Sequence, residues 1–314
     1  MSKQILVTGA AGFLGSHLCD YYLEQGDTVV GIDNLSTGLA ANLKHLKANK
    51  KFTFVKADIT EDLPATVMGP FDIILNMASP ASPPHYQRLG LETLRVGSEG
   101  TLRMLELARK HKARFFHAST SEVYGDPEVH PQPETYKGSV NCYGPRSMYD
   151  ESKRYAEALI WTHRKKYGTN TVIARFFNTY GPRMDPRDGR VVSNFIVQAL
   201  KDEPLTVYGD GSQTRSFCYV DDLVNGITAL IDSGEEGPIN LGNPSEFTVK
   251  ELAEIVLQKT GSKSKLTFYP LPGDDPLQRK PVISLAKQKL GWEPRINLMD
   301  GLDKTISYFQ EVLA

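Results

Sequence analysis

The chain has 314 residues, 40% apolar and 23% charged, the balance of a soluble globular protein long enough for one large α/β domain or a domain with a smaller partner. A net charge of −1 sets up no global field toward nucleic acid or an anionic membrane, and no apolar run reaches the roughly 18 residues of a bilayer-spanning helix. Cys19, Cys142 and Cys218 are odd in number and widely spaced. They form neither a metal-binding pattern nor a disulfide framework, which suits a reducing compartment. No basic-plus-apolar leader precedes a first strand at Gln4, so the expectation is a cytoplasmic protein with no membrane or nucleic-acid partner.

The first part of the chain alternates short β-branched runs with helical patterns. "QILVT" predicts a strand and "FLGSHLCDYYLEQG" a helix ended by Gly26. "TVVGI", "FTFVKAD" and "DIILNMA" predict three more strands, "LETLRVGSEGTLRMLELARKH" a helix and "ARFFHAS" a fifth strand. "YDESKRYAEALIWTHRKKYG" predicts a long helix closed by Gly168, followed by the strand "TVIARFFN". Strand–helix alternation with short connections implies parallel strands with right-handed crossovers, hence a Rossmann-type doubly wound sheet. After Asn178 the rhythm changes, with Pro and Gly frequent in "TYGPRMDPRDGR", "YGDGSQTR" and "YPLPGDDPLQRKP". The expectation is a dinucleotide-binding domain over residues 1–178 and a smaller α+β substrate lobe over 179–314, with segments near 216–235 returning to the first domain.

"VTGAAGFLGSH" places Gly9, Gly12 and Gly15 between the first strand and the first helix. Glycines there permit a tight turn and close approach of backbone to a pyrophosphate, and the helix start supplies N–H groups and partial positive charge. The spacing is G-x-x-G-x-x-G, with Ala11 where the commoner G-x-G-x-x-G has its middle glycine. Asp33 ends the second strand 18 residues after Gly15, where a carboxylate binds ribose hydroxyls and repels a 2′-phosphate, favouring NAD over NADP. Asp58 follows the third strand. Contact with an adenine edge and a turn-capping role both suit it.

"SMYDESKRYAEAL" sets Tyr149 and Lys153 four apart, on one helix face. A phenol is a poor base at neutral pH, and a neighbouring ammonium and the positive nicotinamide favour its phenolate, able to exchange a proton with a substrate hydroxyl. Y-x-x-x-K is common by chance. It becomes specific beside the glycine turn and Thr120, at the end of the fifth strand.

With these motifs in order, the chain resembles the extended short-chain dehydrogenase/reductases that act on nucleotide sugars, through "VTGAAGFLGSH", "STSEVYG", "YDESK" and "NTYGPRM". Within that superfamily it most resembles the UDP-glucuronate decarboxylases, or UDP-xylose synthases. "ASPASPPHY", "STSEVYGDPEVHPQ", "DGRVVSNFIVQAL", "LTVYGDGSQTRSFCYVDDLVNG", "NLGNP", "DDPLQRKP" and "LGWEP" carry that likeness. It implies Thr120, Tyr149 and Lys153 as redox triad, and UDP-glucuronate and UDP-xylose as substrate and product. It implies an NAD site that adds Phe13, Leu14, Asn34, Ile59 and Ala78 to the glycine turn, Asp33 and Asp58. The substrate side would be lined by Pro80, Tyr86, Asn178, Val192, Tyr208, Gln213, Arg215 and Arg279. Among these, Tyr86 is the candidate contact to the uronate, Asn178 and Arg215 to the diphosphate, and Tyr208 to the uracil. "ASPASPPHY" would form a stiff loop over the sugar. By the same likeness the helices around 92–110 and 149–166 would pair two copies into a homodimer.

Ser121 and Glu122 after Thr120 separate reaction classes. Related 4,6-dehydratases typically have Thr-Asp-Glu, with the Asp protonating a departing C6 hydroxyl. Here that position is Ser121. Thr-Ser-Glu is typical of the decarboxylases, in which a 4-ketone turns the C6 carboxylate into a β-keto acid that loses CO₂. Glu122 would then raise the energy of the substrate carboxylate, orient a water, or act as an acid if burial protonates it. Arg279, in "QRKP", resembles the second residue of that decarboxylation. Two departures stand out. "RVGSEGT" replaces the usual T-N-x-x-G-T, so that Gly97 or Ser98 must serve behind the site, and Ser152 stands where many relatives have Gly. The alternatives are a UDP-sugar 4-epimerase or 4,6-dehydratase on the same scaffold, or a non-catalytic NAD(H) sensor.

Overall fold

The predicted alternation of strand and helix is realised in a computed structural model that describes every residue except Met1, Met68, Pro272 and residues 274–277. The chain runs β1 (Gln4–Thr8), α1 (Phe13–Glu24), β2 (Thr28–Asp33), β3 (Phe52–Lys56), β4 (Ile73–Asn76), α2 (Pro83–Arg88), α3 (Gly90–Arg95), α4 (Thr101–His111), β5 (Arg114–Thr120), α5 (Ser147–Tyr167) and β6 (Thr171–Phe176). It continues as β7 (Thr179–Tyr180), α6 (Val191–Leu200), β8 (Leu205–Tyr208), β9 (Thr214–Ser216), β10 (Cys218–Tyr219), α7 (Val220–Asp232) and β11 (Ile239–Leu241). The last elements are β12 (Glu246–Thr248), α8 (Val249–Thr260), β13 (Leu266–Tyr269), β14 (Gln278–Arg279), α9 (Ser284–Leu290) and α10 (Leu298–Leu313).

Seven parallel strands form the central sheet in the order β11-β6-β5-β4-β1-β2-β3. Both faces are covered, so the inner strands are apolar throughout rather than alternating. Ile5, Val7, Leu75, Phe116 and Val172 point into one core, and Leu6, Ile74, Phe115 and Ile173 into the other. The strand order reverses between β1 and β4, and a crevice opens there beyond the carboxyl ends of the strands. The sequence reading yields six of these strands. The seventh, β11, is three residues long and pairs with β6 after α7 has packed against the sheet.

Residues 179–314 therefore do not stand apart. Core residues of α8 and α10, such as Leu252 and Phe309, belong to the same cluster as Ile5 and Leu18. The remaining small sheets are β10-β7, β12-β9-β14 and β13-β8. The helix predicted before β5 is interrupted by a π-turn, Val96–Gly100, between α3 and α4. All three cysteines are free. Among the described residues, no helix is long and apolar enough to cross a membrane.

Candidate active site

A cleft of about 630 Å³ lies above the strand reversal. Every site residue nominated from the sequence lines it: Gly9, Gly12, Phe13, Leu14, Gly15, Asp33, Asn34, Asp58, Ile59, Ala78 and Pro80 from β1 to the loop after β4, Tyr86, Thr120, Ser121, Glu122, Tyr149 and Lys153 from α2 to α5, and Asn178, Val192, Tyr208, Gln213, Arg215 and Arg279 from the segments after β6.

The turn from β1 to α1 is built for a close-lying ligand. Gly9 has φ +68°, and a Cβ there would sit 2.9 Å from the backbone of Ala78. A Cβ on Gly15 would lie 2.0 Å from the Gly9 carbonyl oxygen. Gly12 caps α1 by backbone alone, and the first turn carries no acidic side chain, leaving its N–H groups and partial positive charge directed at the cleft. The Asp33 carboxylate accepts from the Ala11 N–H (3.0 Å) and the Leu35 N–H (2.7 Å), which fixes it at the rim. Burial raises its pKa despite these bonds. Asp58 accepts from Thr60 and, at 2.8 Å, from the Asn34 amide, so it caps its turn while tying the two loops together. The geometry and donor set of this end fit a dinucleotide with a diphosphate and a free ribose diol.

Thr120 ends β5 in an extended conformation, and its Oγ1 accepts the Glu122 N–H at 3.2 Å. It also hydrogen-bonds the Tyr149 hydroxyl. Lys153 lies one turn further along α5, fully inside the protein. Its Nζ donates to the Ala118 carbonyl at 2.8 Å and stands 5.7 Å from the Tyr149 ring centroid. Burial lowers its pKa to about 8. Burial and the neighbouring Glu122 lift the Tyr149 phenol above its ordinary value, against the pull of Thr120 and Arg190. The protein alone keeps Tyr149 neutral.

"ASPASPPHY" is not a loop throughout. Ser82 starts α2, whose first positions are prolines, and these suit a helix start. This helix delivers Tyr86 against Tyr149, the rings parallel within 9° and 5.0 Å apart. Tyr86 is only 1% exposed, and its hydroxyl has no hydrogen-bond partner among the described residues.

Glu122 is held from two sides. Arg146 donates to Oε2 at 2.7 Å and Arg279 Nη1 to Oε1. Burial alone would raise the Glu122 pKa, but the Arg279 and Arg146 guanidiniums outweigh it and bring it to about 2. That sets aside its reading as a neutral acid. Arg279 also donates to the Gly125 carbonyl (3.3 Å), while its Nε–H meets no partner among the described residues. Arg279 sits on β14 beside Arg215 on β9. Arg215 is 8% exposed. Gln213 donates to the Tyr208 carbonyl at 2.7 Å, and Tyr208 is half-exposed beside Tyr269, ring centroids 6.3 Å apart. The Asp274–Leu277 part of "DDPLQRKP" lies outside the described residues.

Three charged residues were missed in the sequence. Arg146 precedes Tyr149 by three and Asp150 follows Arg146 by four, a helical pairing that was there to be read. Arg190, held by Asp188 at 2.6 Å, reaches the same region from the start of α6. No local signal marks it. Of the two candidates behind the site, Ser98 is half-buried and donates to the Leu94 carbonyl (2.7 Å), whereas Gly97 is buried and faces Ser152. A Cβ on Gly97 would fall 2.7 Å from the Ser152 Cβ, and the Ser152 hydroxyl donates to the Tyr149 carbonyl at 2.7 Å.

Comparison with known proteins agrees with this geometry. Residues 5–242 match the model of the "NAD dependent epimerase/dehydratase family". UDP-glucuronic acid decarboxylase 1 of Xenopus tropicalis is 50% identical over 311 residues, covering 99% of this chain and 73% of its own length. UDP-glucuronic acid decarboxylase 3 of Arabidopsis thaliana is 50% identical over 302 residues, covering 96% and 87%. Among solved structures, a UDP-glucuronic acid 4-epimerase from Bacillus cereus in complex with UDP-glucuronic acid and NAD superposes with a TM-score of 0.90 at 30% identity, covering 98% of this chain and 99% of that one. A UDP-glucose 4-epimerase from Thermotoga maritima, solved with UDP-glucose, gives 0.90 at 30% identity over 99% and 100%. The chain belongs to the NAD dependent epimerase/dehydratase family and groups within it with the UDP-glucuronic acid decarboxylases.

Proposed function

We propose that the protein decarboxylates UDP-glucuronate to UDP-xylose in a redox-neutral cycle. The observation that carries this reading is the Glu122 carboxylate clamped by Arg146 and Arg279 next to Tyr149. NAD would be held by the Gly9–Gly15 turn, Phe13, Leu14, Asp33, Asn34, Asp58, Ile59, Ala78, Tyr149 and Lys153. Bound NAD⁺ supplies a hydride acceptor for sugar C4 and, once reduced, the donor that restores it.

Tyr149 takes the proton of the C4 hydroxyl and later returns it, with Thr120 orienting the phenol and Lys153 and Arg190 as the cations that favour its ionised form. With C4 a ketone, the C6 carboxylate is a β-keto acid. Its C5–C6 bond breaks, CO₂ leaves, and the electron pair passes to the C4 oxygen as an enolate, which Thr120 and Tyr149 stabilise by hydrogen bonding. C5 then takes a proton. Free arginines would form a full ion pair with the substrate carboxylate and stabilise the ground state more than the charge-dispersed transition state. Glu122 already engages both, leaving the Nε–H of Arg279 for orientation. Tyr86 would contact the uronate, Asn178 and Arg215 the diphosphate, and Tyr208 the uracil, with Ser121, Pro80, Val192 and Gln213 lining the sugar path.

The 4-epimerase alternative requires the ketone to turn over with its carboxylate intact. The two readings separate in one experiment: purified protein, NAD⁺ and UDP-glucuronate, followed by NMR and mass spectrometry. UDP-xylose with CO₂ release and no net NADH supports decarboxylation. UDP-galacturonate at unchanged mass overturns it.

The assembly we infer is a homodimer. Leu91, Leu94 and Leu102 on α3 and α4 and Tyr155 and Trp161 on α5 are exposed, the faces that a second copy would cover. Light scattering of the native protein and of Trp161→Glu tests this, with a dimer expected for the first and a monomer for the second.

A further inference from the structure

The reaction just proposed takes in a carboxylate and a proton and gives out CO₂ and a new C–H bond. Glu122 is not the source of that proton, because its two arginines keep it ionised. The cluster holds one more acid. Asp150 lies in the first turn of α5, four residues after Arg146 and next to Tyr149. It is 5% exposed, its Oδ1 has no hydrogen-bond partner, and its side chain makes no ion pair among the described residues. The charges facing it are Glu122, Arg146, Arg279 and Glu151, with the phenols of Tyr86 and Tyr149 alongside.

We propose that Asp150 is the proton-holding member of the Glu122–Arg146–Arg279 cluster, neutral when the substrate carboxylate is bound and ionised when CO₂ has left. The inference rests on the UDP-glucuronate reading. With Asp150 neutral, Glu122 and the two arginines carry a net single positive charge that matches one substrate carboxylate. With Asp150 ionised, the cluster is neutral and matches the pentose product, which has lost that charge. The balance closes: the bound carboxylate and the Asp150 proton become CO₂, a C5–H bond and an Asp150 carboxylate, with water carrying the proton between them. Burial first, and then the Glu122 charge, raise the Asp150 pKa to about 7, against the opposing pull of Arg146 and Arg279. It is therefore poised to respond to a second anion near neutral pH. Asp150 does not line the cleft. It does not touch the substrate; it gives up its proton through water and sets the charge of its neighbours.

The test is titration calorimetry of NAD-loaded Tyr149→Phe protein, which cannot turn over, near pH 8 in buffers of different ionisation enthalpy. UDP-glucuronate binding should take up between about half and one proton per site, and UDP-xylose binding close to none. Adding Asp150→Asn, which keeps the side-chain shape, should abolish the uptake while UDP-xylose still binds. Asp150→Ser serves the same comparison should the Asn variant fold poorly. Uptake that persists in both variants overturns the proposal. UDP-glucuronate binding without uptake overturns it while leaving the substrate reading in place. UDP-glucuronate bound no more tightly than UDP overturns both.

Discussion

Arg215 and Arg279 are direct register partners across the parallel strands β9 and β14, so they project from the same face of one small sheet. Arg279 reaches Glu122. Arg215 faces the cleft from the side proposed for the diphosphate. The two guanidiniums thus share a platform but have different partners, and their losses should differ in kind. Arg215→Ala removes a charge-assisted fork and should weaken UDP binding by about 10–100-fold. Arg279→Ala should change UDP binding by only a few-fold and remove turnover. Calorimetry with UDP alone checks both, and equal losses would mean that the two arginines act as one site.

Glu122 bridges Arg146 and Arg279 through its two carboxylate oxygens. Glu122→Gln removes the buried charge that both guanidiniums share, and breaking a buried pair in this way costs about 3–5 kcal/mol. The variant should lose turnover and also unfold at lower urea. Adding Arg146→Gln should recover part of the stability and none of the activity. Full recovery of activity would remove Glu122 from the chemistry.

The fold was legible because the strands β1 to β6 are short runs rich in apolar and β-branched residues separated by helical patterns, and β5 delivers Thr120 at the end of such a run. β11 was not legible, because three residues, Ile239–Leu241, carry no periodicity and gain their place only by pairing with β6. At the site, the residues that sequence located are those with fixed spacing, such as Gly9 to Gly15 and Tyr149 to Lys153. The burial that lifts the Tyr149 phenol was not legible, because a sequence shows the nearby lysine but not the Ala118 carbonyl that takes its hydrogen bond. Arg190 arrives through tertiary packing alone.

Gly97 and Ser152 were separate departures in the sequence and are one contact in the structure. The space that a side chain at 97 would need is filled by the Ser152 Cβ and backbone carbonyl oxygen, at 2.7 and 2.9 Å. Gly97→Ala should therefore be destabilising by about 1–3 kcal/mol through overpacking next to the Tyr149 turn. In a Ser152→Gly background the Cβ contact is gone but the carbonyl contact stays, so the same change should still be destabilising and cost less by about 0.5 kcal/mol in a double-mutant cycle of urea midpoints. Strict additivity would mean that the helices shift apart rather than compete for this space.

Glu122 and Asp150 should pull the stability curve in opposite directions. Glu122 has a folded pKa of about 2, below its ordinary 4.5, so its contribution is complete above that ordinary value and is lost as pH falls toward 2. Asp150 has a folded pKa of about 7, above its ordinary 3.8. The unfolded chain releases this proton first, so stability declines as pH rises from about 4 to about 7 and then levels off. Asp150→Asn removes the second limb alone. Relative to the parent protein, the variant should gain stability steadily across that window and keep a constant advantage above it, while the acid limb set by Glu122 stays in place. Urea denaturation of both proteins near pH 4.5, 6 and 8 measures this directly. Curves that run parallel across the window would place the Asp150 proton outside the folding equilibrium and leave the Glu122–Arg146–Arg279 charges to set the pH dependence by themselves.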